Sequence, residues 1–250
     1  MTKLIWLDVG THFAQEHKSI FGTNLYFYTF LLRRFIGGKI LKRGKFISLS
    51  KLSELILSRN NIRSKAHKFY SIFVEANPRV AYKENFYPRA DIFFNFALTD
   101  ANFSPISIAK LFTGDGGEYA EGNSIYRKKF RQGKNTYIPT LGVSASNFFH
   151  ELEIYLSKKF DTYNVMLRLN CEGVEDEVIY SAQNAFGSKL KLIGGSLKDV
   201  KELKGEIAFN KLFEFMNQKG LPFVQFSSGI DTWLNANQSI LKIIETTYTE

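Results

Sequence analysis

The chain is poor in cysteine. Cys171 is the only one among 250 residues, which excludes an intrachain disulfide and any zinc site built on a cysteine cluster, and suits a reducing compartment. Long apolar runs are missing too: no stretch reaches the roughly 20 apolar residues that span a bilayer. The sequence shows no signal-peptide pattern, no internal repeat and no low-complexity tract. It contains no recognised RNA-binding module and no His/Asp/Glu cluster with metal-ligand spacing. The expectation is a soluble, cytoplasmic protein with no transmembrane segment and no assigned metal. Acidic residues are outnumbered, 24 against 33 Lys and Arg. The resulting net charge of +9 favours an anionic partner: a phosphorylated or acidic substrate, nucleic acid, or a membrane surface.

What the chain does have is apolar material, 44% of its residues, enough for a sizeable core in one domain of this length. Its organising stretch is Leu4–Gly10, an apolar run that ends on Asp8 and then Gly10. This reads as a buried strand opening into a tight turn, with Gly10 allowing a close backbone approach. Further strands are expected at Phe69–Val74, Asp91–Leu98, Val165–Leu169, Leu190–Ile193 and Phe223–Phe226. Helices are expected at Lys51–Ser58 behind an N-cap at Ser50, and at Val143–Phe160, Val174–Ala185, Glu206–Lys219 and Ser239–Thr246. Alternating strands and helices predict an α/β fold: a doubly wound, mainly parallel sheet. Roughly twice the length of an ordinary crossover separates the first two strands. The chain is therefore read as one domain, 1–250, with a helical insertion at 23–68.

In such sheets ligands sit at the carboxyl ends of the strands. Asp8, Glu75, Asp100 and the Asn170–Glu172 pair lie at those ends. In nucleoside-binding folds the acid after the second strand accepts hydrogen bonds from the two ribose hydroxyls, and Glu75 is placed for that task. Two basic segments stand apart. Asn24–Ile36, followed by Lys39, Lys42, Arg43 and Lys45, suits either an amphipathic membrane-surface helix or a core or dimer-interface helix with a solvated basic end; the second is the expectation adopted. Arg127–Lys134 suits a solvated loop or a site for phosphate, an anionic sugar or nucleic acid.

Five short motifs in this order resemble the FkbM family of S-adenosylmethionine-dependent methyltransferases. They are Asp8-Val9-Gly10-Thr11-His12-Phe13-Ala14-Gln15, Glu75-Ala76-Asn77-Pro78, Asn95-Phe96-Ala97-Leu98-Thr99-Asp100, Asn123-Ser124-Ile125 and Leu169-Asn170-Cys171-Glu172-Gly173-Val174-Glu175. The resemblance covers Lys3–Gln15 and Phe69–Ala185 and not the insertion. It implies a class I methyltransferase-like domain with S-adenosylmethionine as cofactor. The Gly10 turn would pass its amino-acid end, Glu75 would hold its ribose, and Thr99 and Asp100 would lie near its adenine; Asp8, Thr11, His12, Ala76, Asn77 and Asn170 complete the implied cofactor-binding set. Methyl transfer is an in-line displacement in which alignment at about 3 Å does most of the work. A hydroxyl acceptor also benefits from a base, for which His12, His17 and Glu172 are candidates. Three departures stand out. Ala14 replaces a glycine, His12 a small amide, and Asn170, a catalytic candidate by position, an aspartate that the family pattern would make catalytic or metal-binding; an Asn side chain cannot act as a base, which shifts that role toward Glu172. The implied activity is O-methylation of a glycan, capsule or secondary-metabolite precursor, anionic to match the charge. Methylation of an RNA ribose, or a non-catalytic relative that binds a nucleoside or a partner, are the alternatives.

Overall fold

Strands buried on both faces read as continuous apolar runs, and Lys3–Val9, which forms β1, is buried at every residue after Lys3. The structure, a computed structural model, describes residues 1–33, 48–84, 89–100, 104–113, 123–129, 136–226 and 229–248. The remaining strands are β2 (Phe69–Val74), β3 (Ile92–Phe94), β4 (Ala97–Thr99), β5 (Ile106–Phe112), β6 (Tyr137–Ser144), β7 (Tyr163–Leu169), β8 (Leu190–Gly195) and β9 (Phe223–Gln225). Six of them make one sheet in the order β3-β2-β1-β7-β8-β9. The β1–β7, β2–β3 and β7–β8 ladders are parallel. Numbered along the chain, that order is 3-2-1-4-5-6, with its reversal between β1 and β7. It is compatible with a Rossmann-like α/β fold, whose ligand crevice opens at such a reversal.

The chain folds as two compact units, Met1–Phe13 with Tyr70–Phe223, and Ala14–Phe69 with Val224–Glu250. The stretch 23–68, expected as an insertion, falls in the second unit together with the C-terminal helix.

In the first unit the helices are α4 (Pro78–Glu84), α5 (Ala145–Lys159), α6 (Glu175–Phe186), α7 (Lys198–Lys204) and α8 (Glu206–Gln218). Apolar residues recur along α5 at Ala145, Phe148, Phe149, Leu152 and Leu156, the helical period that turns one face inward. That face and Val178, Ile179 and Ala182 of α6 join Ile5, Leu7 and Val9 of β1 and Val165, Leu167 and Leu169 of β7 in a single core. Full burial of each such aliphatic side chain stabilises the fold by about 1.5–3 kcal/mol. Because side chains alternate along a strand, Asp8 and Arg168 project from the opposite face of the sheet.

The second unit holds α1 (Gln15–Phe21), α2 (Asn24–Leu31), α3 (Leu49–Ser64) and α9 (Ile230–Tyr248), and Arg59 of α3, 1% exposed, ties α1 and α2 to α3. Its guanidinium donates to the Ser19 and Gly22 carbonyls and to the Asn24 side chain, and lies 4.7 Å from the Phe27 ring centroid. The Asn237 amide of α9 donates to Ser58 of α3 at 3.1 Å.

Three local expectations need correction. The run Asp91–Leu98 is two strands rather than one. The Asn95 side chain donates to the Glu75 carbonyl at 2.7 Å, which ends β3, and β4 enters a second sheet of order β4-β6-β5. That sheet, with β5 antiparallel to β6, fills a region where no strand was expected. Helix α3 starts two residues earlier than predicted, because Ser48 accepts from the Lys51 N–H while Ser50 bonds Glu54. Residues 34–47, with the basic stretch after α2, lie outside the described residues, as do most of the Thr113–Asn123 loop and the end of the Arg127–Lys134 run.

Gly10, read from sequence as the point of closest approach to a ligand, is pressed against the chain's own backbone. Its φ is +69°, and a Cβ there would stand 2.1 Å from the Asn170 carbonyl oxygen. Gly220, which closes α8 in a Schellman-type turn, has a similar φ of +63° and open space around it. Gly220→Ala should therefore cost only the left-handed strain, about 1 kcal/mol. Gly10→Ala adds an overpacking penalty of about 1–3 kcal/mol where β1 meets β7. Urea denaturation of both variants checks the difference; equal losses would mean that the strand tips yield freely.

Candidate functional site

The loop after β1 is tied to β2. The Gly10 and Thr11 N–H groups both donate to the Val74 carbonyl, at 2.9 and 3.2 Å, and the Thr11 hydroxyl donates to the Asp8 carbonyl at 2.8 Å. His12 follows in left-handed conformation, φ 49°. Its N–H then points at Glu75 and donates to Oε2 at 2.5 Å, while the Asn77 N–H donates to Oε1 at 2.8 Å. One carboxylate thus holds both loops beside the sheet's reversal point. The Asn77 side-chain oxygen accepts from the Arg79 N–H at 2.9 Å and caps α4, whose first residue is Pro78. Ala76, half-buried, offers its carbonyl to the Thr140 hydroxyl at 2.9 Å.

On the neighbouring pair of central strands, Asp8 and Arg168 are register partners on β1 and β7. Arg168 donates to Asp8 Oδ1 at 3.0 Å and to the Gly10 carbonyl at 2.8 Å, and the two side chains are 7% and 0% exposed. The Asn170 N–H donates to the Val9 carbonyl at 3.0 Å. Asp8, Gly10, Thr11, His12, Glu75, Asn77 and Asn170 therefore belong to one connected cluster. Cys171 lies in the same turn with its thiol on the Val9 carbonyl, and burial pushes that thiol's pKa up.

A second cluster joins Asp100 and Glu172. The Tyr126 hydroxyl donates to Asp100 Oδ2 at 2.6 Å, and the Tyr126 N–H donates to Ser124 Oγ. The Ser124 hydroxyl in turn donates to the Glu172 carbonyl at 2.6 Å. Burial and the neighbouring Asp100 raise the Tyr126 pKa, so its phenol stays a donor. Glu172, at φ 60°, is ion-paired with Lys129, which also meets Asp199 at 2.9 Å. The carboxylate proposed from sequence as a base is thus already engaged by an ammonium, and Lys129 of the basic run is engaged inside the fold. Thr99, beside Asp100, is fully buried, and its hydroxyl makes no hydrogen bond among the described residues. His17 belongs to the second unit, where its ring lies 4.8 Å from Phe21. The His12 ring packs on Phe13 at 3.9 Å.

Glu175 mirrors Glu75. It accepts from the Cys171 N–H at 2.9 Å and the Gly173 N–H at 2.8 Å, and so closes the turn after β7. Burial raises both carboxyls to a pKa of about 7 against the pull of those N–H donors. Arg168, Tyr126 and Asp199 were missed from sequence, and Lys129 was read there only as part of a basic run that is solvated or meets an anion, not as the partner of Glu172 and Asp199. Arg168 alone left a signal there: a charge inside the apolar run Val165–Leu169 demands a buried partner.

Among the described residues, no group of three or more His, Cys, Asp or Glu side chains is placed to hold a metal ion, and no helix is long and apolar enough to cross a membrane. Compared with family models, with curated proteins and with solved structures, the chain matches nothing.

Two predictions test this arrangement. Arg168→Met leaves Asp8 buried without its counter-charge and should cost about 3–5 kcal/mol in urea denaturation, most of it recovered in Asp8→Leu/Arg168→Met. A double variant as unstable as the single one would show that the pair is not the source of the loss. The second concerns pH. A carboxyl raised from 4.5 to about 7 binds its proton more tightly in the folded state, so its contribution to stability falls as pH rises through that window. Relative to wild type, Glu75→Gln should gain up to about 3 kcal/mol between the lower and upper ends of the window, measured by denaturation at each pH. A constant difference would mean that Glu75 titrates as an ordinary exposed carboxyl.

Proposed function

We propose that the first unit binds S-adenosylmethionine at the β1–β7 reversal and transfers its methyl group to an oxygen of an anionic acceptor, such as a hydroxyl or phosphate-linked oxygen of a glycan, capsule or secondary-metabolite precursor. The observation that carries this reading is Glu75. It ends the second strand, where nucleoside-binding sheets hold a ribose, and its two oxygens are each fixed by one backbone donor. Each oxygen retains a second lone pair for a hydroxyl. The orphaned Thr99 hydroxyl supports the same reading, since a buried polar atom without a partner calls for one. The donor set suits a nucleoside: two acceptors for ribose, and polar groups at Thr99 and Asp100 for a base. When bound, the cofactor supplies an activated methyl group. The chain's part is to orient the cofactor and the acceptor in line.

A second reading is favoured by the Lys129–Glu172 ion pair and by Asn170, neither of which leaves an evident base. On that reading the unit binds the nucleoside without turning it over.

Calorimetric titration of S-adenosylmethionine and S-adenosylhomocysteine into wild type and Glu75→Gln separates the possibilities. Micromolar binding weakened about tenfold, or 1.4 kcal/mol, by the substitution supports the site. Release of S-adenosylhomocysteine with an acceptor then decides for transfer; binding with no turnover across an acceptor panel decides for the second reading. No binding by the wild type overturns both.

A further inference from the structure

The chain's charge is not spread evenly. The second unit holds thirteen of the 33 Lys and Arg residues and only five of the 24 Asp and Glu. Its net charge is therefore +8 out of the chain's +9, and the first unit, which contains the candidate site, is nearly neutral. The excess is densest in sequence just after α2, where Arg33 to Lys45 carries six Lys and Arg and no acid.

Helix α2 is apolar on two sides. Phe27, Phe30 and Leu31 are buried in the second unit, and the Phe30 ring packs on Trp233 at 4.9 Å. The opposite side carries Leu25, Tyr28 and Leu32, spaced three and four residues apart and so aligned on one face. They are 76%, 45% and 53% exposed. Arg33, next in sequence, is exposed as well. A helix with an aliphatic and aromatic face in water, on the unit that bears nearly all the net positive charge, has the two components of interfacial binding: apolar side chains that enter the acyl boundary, and attraction to acidic headgroups.

We propose that the α2 face of the second unit docks on an anionic lipid surface. The same features disfavour the other occupants. A second copy would bring another +8 unit against this one. Nucleic acid would satisfy the charge, but its phosphate backbone offers nothing to two exposed leucines. The inference is independent of the methyltransferase reading and would locate whatever the first unit does at a membrane surface.

The test is co-sedimentation of the whole protein with vesicles of phosphatidylcholine alone, or of phosphatidylcholine with one-third phosphatidylglycerol. Binding is expected to the anionic vesicles only, with release at ~0.5 M salt. Leu25→Ser/Leu32→Ser should weaken it at least about tenfold, which the loss of apolar contact requires. Leu25→Lys/Leu32→Lys should also weaken it despite the added charge. Both pairs alter exposed side chains, and thermal melts matching wild type establish that they fold. Equal affinity for both vesicle types, no binding to either, or variants that bind like wild type would overturn the proposal. So would an oligonucleotide that binds where vesicles do not, or a dimer that the serine variant dissociates.

Discussion

The buried ion pair between Asp8 and Arg168 is the constraint on which the first unit rests. It joins the two central strands at the point where the strand order reverses. Arg168 reaches the Gly10 carbonyl as well, so the same guanidinium holds the strand end and the start of the turn beyond it. A charge pair in that place is stable only as a pair: each member without the other is an ion in a medium that cannot solvate it. The close fit around it leaves no room at Gly10 for a side chain, because the Asn170 carbonyl occupies that space.

Around this pair, carboxylates serve backbone before they serve any ligand. Glu75 gathers the N–H groups of His12 and Asn77, and Glu175 those of Cys171 and Gly173. Each satisfies donors that loops at a sheet edge would otherwise bury unpaired. Each is also nearly inaccessible, which explains why both hold their protons to about pH 7. Glu172 is different: exposed enough to meet Lys129, it becomes part of an ion-pair cluster with Asp199 rather than a lone base. A site built this way is strong in positioning and weak in free acid–base groups, which fits chemistry driven by alignment better than chemistry driven by proton transfer.

The two units divide the physical work. The first is nearly neutral, with a parallel sheet and ligand-like polar tips; the second is a helical assembly that is tied by a buried arginine and bears almost all of the net charge. Composition alone indicated an anionic partner without saying which part of the chain would meet it. The division into units places nearly all of the net charge in the second, and the proposal of a lipid surface rests on that charge together with the exposed side of α2.

Local chemistry sufficed to read the central strands, because apolar runs ending in Asp8-Val9-Gly10, in Glu75 and in Asn170 carry their own length and breakers. It also sufficed for α5 and α6, whose apolar residues repeat with the helical period. The second sheet escaped because β5 and β6 are stabilised by each other, and half of each strand faces outward with apolar residues such as Ile106 and Ile108 that spoil the usual alternation. At the strand tips the residue types were readable but their engagements were not. Asp8 meets Arg168 across 160 positions of chain, and Glu172 meets Lys129 from a turn distant in sequence. Pairing of that kind depends on strand register and order, which only the folded sheet sets, and it decides whether an acid at a strand tip is a reagent or a brace.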